Sequence, residues 1–189
     1  MKNLRLTVLI AALILSGKLF AQSEEDMKAY MEFMTPGKQH QAMAEGAGKW
    51  NTTIKWWMDP KAEPAVTEGE VTAEMILGGR YLMEKHTSMM MGMPFEGMSL
   101  TGYDNTLGRF FSTWIDNMGT GIMYSTGTWN EEKKRIEWQG TMTDPMLKTE
   151  MPVKQYSWHD GKDKMVMEMY VIVPGGEYKN MEVVMTRAK

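Results

Sequence analysis

The chain has 189 residues, of which 43% are hydrophobic and 24% charged, with a formal net charge of −3. These proportions exclude a disordered, collagen-like or coiled-coil chain. Twenty-three methionines stand beside no cysteine, which excludes a disulfide scaffold, a thiolate metal site and a thiol nucleophile. A slightly acidic chain without basic runs is not expected to bind nucleic acid.

Lys2 and Arg5 precede an apolar stretch from Leu6 to Leu15, followed by small residues up to Ala21. A charged start, an apolar middle and a small-residue end are the pattern of a secretory signal peptide over residues 1–21. About ten apolar residues are too few to cross a bilayer as a helix, which takes roughly 20. The expected mature protein is exported, periplasmic or secreted, with no membrane span.

Residues 22–48 read as a helical segment. Ser23-Glu24-Glu25-Asp26 has capping-box form, and Met27, Tyr30, Met31 and Met34 follow at helical spacing. Thr35-Pro36 ends that helix and opens a second through Gln39 to Ala47. From residue 49 to 189 the period becomes two. Trp50, Thr52, Ile54, Trp56 and Met58 share one strand face, and Val71, Ala73, Met75 and Leu77 another. Strands with one wet face pair antiparallel.

Turn residues recur at short intervals, among them Gly78-Gly79, Gly92-Met93-Pro94, Asp104-Asn105, Asn117-Met118-Gly119, Asp144-Pro145 and Pro174-Gly175-Gly176. Short strands joined by tight turns predict an all-β, antiparallel, up-and-down barrel of about 8–10 strands with short N-terminal helices, because closure removes exposed edges.

Gly48-Lys49-Trp50 at the start of the first strand and Arg187 near the end of the last resemble the lipocalin-like barrels, or calycins. In those proteins the guanidinium packs over the indole and closes one barrel end, which makes Gly48, Trp50 and Arg187 the expected closure residues. A longer ordered set resembles the bacterial domain-of-unknown-function family 1579. It comprises Thr35-Pro36-Gly37, His40, Ile76-Leu77-Gly78-Gly79-Arg80-Tyr81-Leu82, Pro94-Phe95-Glu96-Gly97, Gly102-Tyr103-Asp104-Asn105 and Trp114-Ile115-Asp116-Asn117-Met118-Gly119-Thr120. That resemblance implies a calycin-type barrel and transfers no activity, so catalytic residues are unknown and an enzyme is not the favoured reading.

The residues expected to face the lumen are Trp56, Met75, Tyr81, Trp114, Asp116, Tyr124, Trp138, Met165, Met167 and Met169, with Thr52, Ser112 and Thr126 among them. Aromatic, thioether and hydroxyl groups together suit a small hydrophobic or amphiphilic ligand held by a few polar contacts. No cofactor is expected on this reading. The alternative is a Cu(I) site of soft thioethers and an imidazole in one hairpin, from His86, Met89, Met90, Met91 and Met93. A third possibility places Asp116 beside Tyr103 or Tyr124 as a proton-transfer pair, against the simpler role of capping the Asn117-Met118-Gly119 turn. His40 is read as structural, and His159 is placed in the turn before Asp160-Gly161.

Overall fold

A computed structural model describes residues 24–189; the expected signal peptide and the capping residue Ser23 lie outside them. The chain divides into a unit ending at Thr35 and a unit spanning Pro36–Lys189. The first contributes helix α1 (Glu24–Met34), with three acids in its first turn, where the exposed amides favour negative charge.

The second unit opens with helix α2 (Lys38–Ala44) and continues as ten strands. These are β1 (Gly48–Trp56), β2 (Ala65–Ile76), β3 (Tyr81–Met90), β4 (Met93–Asp104) and β5 (Arg109–Asp116), then β6 (Met123–Asn130), β7 (Arg135–Asp144), β8 (Thr149–His159), β9 (Lys164–Val173) and β10 (Gly176–Arg187). Each pairs antiparallel with its sequence neighbours, and β1 pairs with β10 to close the barrel. The turns follow the expected chemistry: Asp104 Oδ1 accepts from the amides of Thr106 and Leu107, and Asp144 Oδ1 from those of Met146 and Leu147. Among the described residues no helix is long and apolar enough to cross a membrane. Strand β8 runs through His159, so this residue ends a strand rather than sitting in a turn.

The seam carries the closure motif. Trp50 is opposite Arg187 in the β1–β10 register, and the guanidinium lies 4.2 Å from the indole centroid. Arg187 Nη1 and Nη2 donate to the carbonyls of Ala47 and Glu45 at 3.0 and 2.9 Å, and its Nε lies 3.2 Å from Asp163 Oδ1. Trp50, 1% exposed, donates from Nε1 to the Gly46 carbonyl at 2.9 Å. Gly48 is required here twice over. Its φ is +129°, and a Cβ would lie 2.8 Å from Arg187 Nη1.

Helix α2 belongs to this same end. Its His40 accepts from the Gly37 amide at 3.0 Å and meets the Tyr103 ring edge-on at 6.1 Å. Met43, Trp50, Leu82, Phe110 and Trp138 form one buried cluster with Val71, Ala73, Val183 and Met185. A β-barrel interior must be filled or it loses dispersion contacts; at the α2 end side chains fill it.

Replacing Arg187 by Ala is expected to lower unfolding free energy by about 2–4 kcal/mol, from the lost cation–π contact and the lost charge-assisted hydrogen bonds. Arg187→Lys recovers only a part, because an ammonium cannot fork to two carbonyls while stacking. Urea unfolding of the three proteins measures both effects.

Candidate ligand-binding site

Strand register fixes which side chains enter the lumen. Starting from buried Trp50, the pairs Trp50–Val71, Val71–His86, His86–Gly97 and Gly97–Asp116 place one residue of each of five successive strands on the inner face. From β10 back to β7, Met185–Met165, Val183–Met167, Met181–Met169, Met169–Gln155 and Gln155–Trp138 do the same. Strand alternation then assigns the rest.

Trp56, Met75, Trp114, Asp116, Trp138, Met165, Met167 and Met169 fall on the inner face, in register with one another as above. Tyr81 does not. It pairs with Gly102, and its ring meets Phe111 at 6.2 Å on the outer face, over the spot where a Gly102 Cβ would be 2.5 Å from Phe111 and 2.9 Å from Tyr81. Tyr124 is also outward, because its neighbour Ser125 is the residue paired with Ser112; Tyr124 is 47% exposed. Thr126 shares that outer face. Met58 lies beyond β1 and is 79% exposed.

Both halves of the lumen mix buried and half-buried side chains. Toward α2, Trp50, Val71, Leu82, Phe110 and Trp138 are buried and Tyr103, Ile136 and Met165 half-buried. Toward the other end, Phe95, Ser125, Val153, Met169 and Val171 are buried and Trp56, Ser112, Trp114, Met123, Met142, Met151 and Met181 half-buried. The rim at that end is mixed: Met91 on the β3–β4 turn, Ile122 before β6, and Met146 and Leu147 between β7 and β8 are exposed, beside the exposed charges Asp59, Lys61 and Glu63 of the β1–β2 loop and Lys148.

Inside, one wall is thioether and valine. Val153, Met169 and Val171 are buried there, with Met123, Met142, Met151, Met167 and Met181 packed around them. The facing wall, from β3 to β5, carries polar groups. Ser99 Oγ donates to Glu84 Oε2 at 2.6 Å, and His86 Nε2 lies 4.0 Å from the same oxygen. The His86 and Trp114 rings meet edge-on at 4.9 Å, and Phe95 stacks on Trp114 at 6.3 Å. Trp138 Nε1 donates to Ser157 Oγ at 2.9 Å.

Asp116 takes the capping role. Its Oδ1 accepts from the Met118 amide at 2.9 Å and its Oδ2 from Trp114 Nε1 at 2.8 Å. With Tyr124 outside the barrel and Tyr103 at the α2 end, no tyrosine is brought to Asp116. The hairpin groups are not gathered into one shell either. Met89 faces outward, opposite in parity to Met90, and Met91 sits exposed on the turn. His86 is four residues from Met90, roughly 13 Å along a strand, and Met90 pairs with Met93 at the strand end. Among the described residues no three His, Asp or Glu side chains cluster to hold a metal.

Glu84, Ser88 and Ser99 also face the lumen, which alternation alone does not indicate but the turn does. A hairpin centred on Gly78-Gly79 pairs Val71 with His86 and Ile76 with Tyr81, as found, which puts His86 inside and Tyr81 outside. Two clefts lie outside the lumen. One of about 560 Å³ runs over the outer side of β3–β5, past Lys85, Glu96, Met98 and Ile115. The other, of about 500 Å³, lies beside Ala47, His159, Lys162 and Arg187.

A closed antiparallel ring of ten strands, sealed at one end by a helix and an Arg–Trp pair, is a lipocalin-like barrel. The chain belongs to the family described as Protein of unknown function (DUF1579), whose model matches residues 35–187. No curated protein matches it. Among solved structures it is similar to Rv2717c from M. tuberculosis, with 15% identity and a TM-score of 0.62, covering 82% of this chain and 100% of that one. It is also similar to the S-type phycobiliprotein lyase CPES from Guillardia theta, with 7% identity and a TM-score of 0.56, covering 85% of this chain and 97% of that one. At these identities the likeness is one of fold.

Burial holds His40, His86 and His159 below the ordinary imidazole pKa, with Glu84 opposing the effect at His86. Each binds a proton more readily unfolded than folded. Their contribution to stability is therefore undiminished above about pH 6.5 and falls as pH drops below it. Melting temperature is expected to decline between about pH 7.5 and about pH 5.5, and the decline to shrink in His86→Gln. Calorimetry across that range measures both.

Proposed function

We propose that the protein is an exported carrier or receptor that binds a small hydrophobic or amphiphilic molecule in its lumen without turnover. The observation that carries this reading is the make-up of the lumen wall away from α2, where inward thioethers and indoles, several of them half-buried, face the polar groups of β3 and β4. Methionine suits such a wall because an unbranched, polarizable side chain adapts to irregular ligand shapes. An apolar surface with a few convergent polar groups is the usual make-up of a small-molecule site. The fold likeness to a phycobiliprotein lyase is consistent with a barrel that handles a small organic molecule. Export rests on the pattern of residues 1–21, and the mass of the protein from a periplasmic or secreted fraction should match a chain starting near Gln22.

Dodecanol, a neutral apolar probe, is expected to bind and raise the melting temperature. Met167→Trp, which fills the lumen, is expected to abolish that shift, while Met98→Trp, in the outer cleft, leaves it intact. The reverse pattern would place the site in the outer cleft, and no shift in the wild type would remove the reading. Native mass spectrometry of protein purified from its host compartment should show an organic adduct released on denaturation.

A further inference from the structure

The lumen wall is chemically two-sided, and its polar side is left unfinished. Opposite the thioether wall, β3 presents Glu84, His86 and Ser88 at alternate positions on one face, about 7 Å apart along the strand. His86 Nε2 and Ser88 Oγ are both sealed from solvent and have no hydrogen-bond partner. Glu84 accepts from Ser99, and a carboxylate offers about four lone-pair sites. Among the described residues Ser125 Oγ and Asn180 Oδ1 are also buried without a partner, but only on β3 do two such atoms stand beside a carboxylate. A buried polar atom without a partner costs free energy comparable to a lost hydrogen bond, which a donor brought to it would recover. On the described strands the one inward-facing Lys or Arg is Arg187, at the far end and committed to Trp50, Asp163 and two carbonyls. What the wall offers is mainly acceptors: a carboxylate, a hydroxyl, and an imidazole that burial favours in its neutral form, with one of its two nitrogens free to accept.

A head group with several donors and a positive charge fits that set, and Trp114 beside His86 adds an aromatic ring for a cation. We propose that Glu84, His86 and Ser88 form the head-group site of the lumen, and that the ligand is an amphiphile carrying a primary ammonium group, its chain lying on the methionine wall. This rests on the lumen-binding reading above and names its ligand class.

Isothermal titration with three probes of equal chain length tests it: dodecylammonium and dodecanoate below their micellar concentrations, and dodecanol below its solubility limit. The ammonium probe should bind about tenfold or more tighter than the alcohol, the effect of one charge-assisted hydrogen bond, and dodecanoate weakest of all. Glu84→Gln, which keeps size and shape, should bring ammonium and alcohol to within about threefold, while the outer-face Glu70→Gln leaves the preference intact. Equal affinity for the three probes, or an ammonium preference that survives Glu84→Gln, overturns this proposal while lumen binding stands. Binding of none of the probes overturns the lumen reading and this proposal together.

Discussion

Everything in this barrel depends on where the ring closes. Ten strands in an up-and-down meander leave β1 and β10 as two open edges unless they find each other, and an unpaired edge invites aggregation. Seven residue pairs join them, from Trp50–Arg187 to Trp56–Met181. The Arg187 guanidinium fastens one end of that seam, stacked on the indole while bonding two carbonyls of the segment after α2. Because the pair also sets the register of β1 and β10, a one-residue slip would turn Met181, Val183 and Met185 out to solvent. The tryptophan–arginine contact thus fixes which side chains line the interior.

The α2 end is filled with Trp50, Phe110, Trp138 and Leu82, together with Met43 of the helix. Toward the other end the filling changes to methionine, and solvent reaches it. The unusual composition has a place in the fold: thioethers cluster on the inner faces of β7–β10, where an adaptable surface is more useful than a rigid one.

The fold was largely legible in the sequence because it is written in two redundant signals, alternation and turn residues. Parity alone puts Trp50, Met75 and the Met165–Met169 series on the inner face, and the register does the same. The faces of β3 and β6 were harder. In β3, Tyr81 and Met83 make the outer face look apolar, while Glu84, His86 and Ser88 make the inner one look wet, so ranking faces by hydrophobicity selects the wrong one. Aromatic packing of Tyr81 on Phe111 across Gly102 is a contact between strands separated by a third, invisible to any single-strand pattern. In β6 the six residues from Asn117 to Ile122 precede the strand, and a loop of that length does not fix register as a tight turn does. Parity carried across that loop puts Tyr124 inside, whereas the register puts it outside. The polar wall was missed for the same reason that makes it interesting: buried polar groups imitate a solvent-facing strand.

The central claim is that an apolar chain lies inside the barrel, between Trp114 and the methionine wall. Crystals grown with bromododecanol, measured at the bromine absorption edge, test it most directly. The account predicts an anomalous peak within the lumen, near Trp114, Met167 or Met169. A peak confined to the outer cleft beside Met98 and Ile115, with the lumen closed by its own side chains, would contradict it.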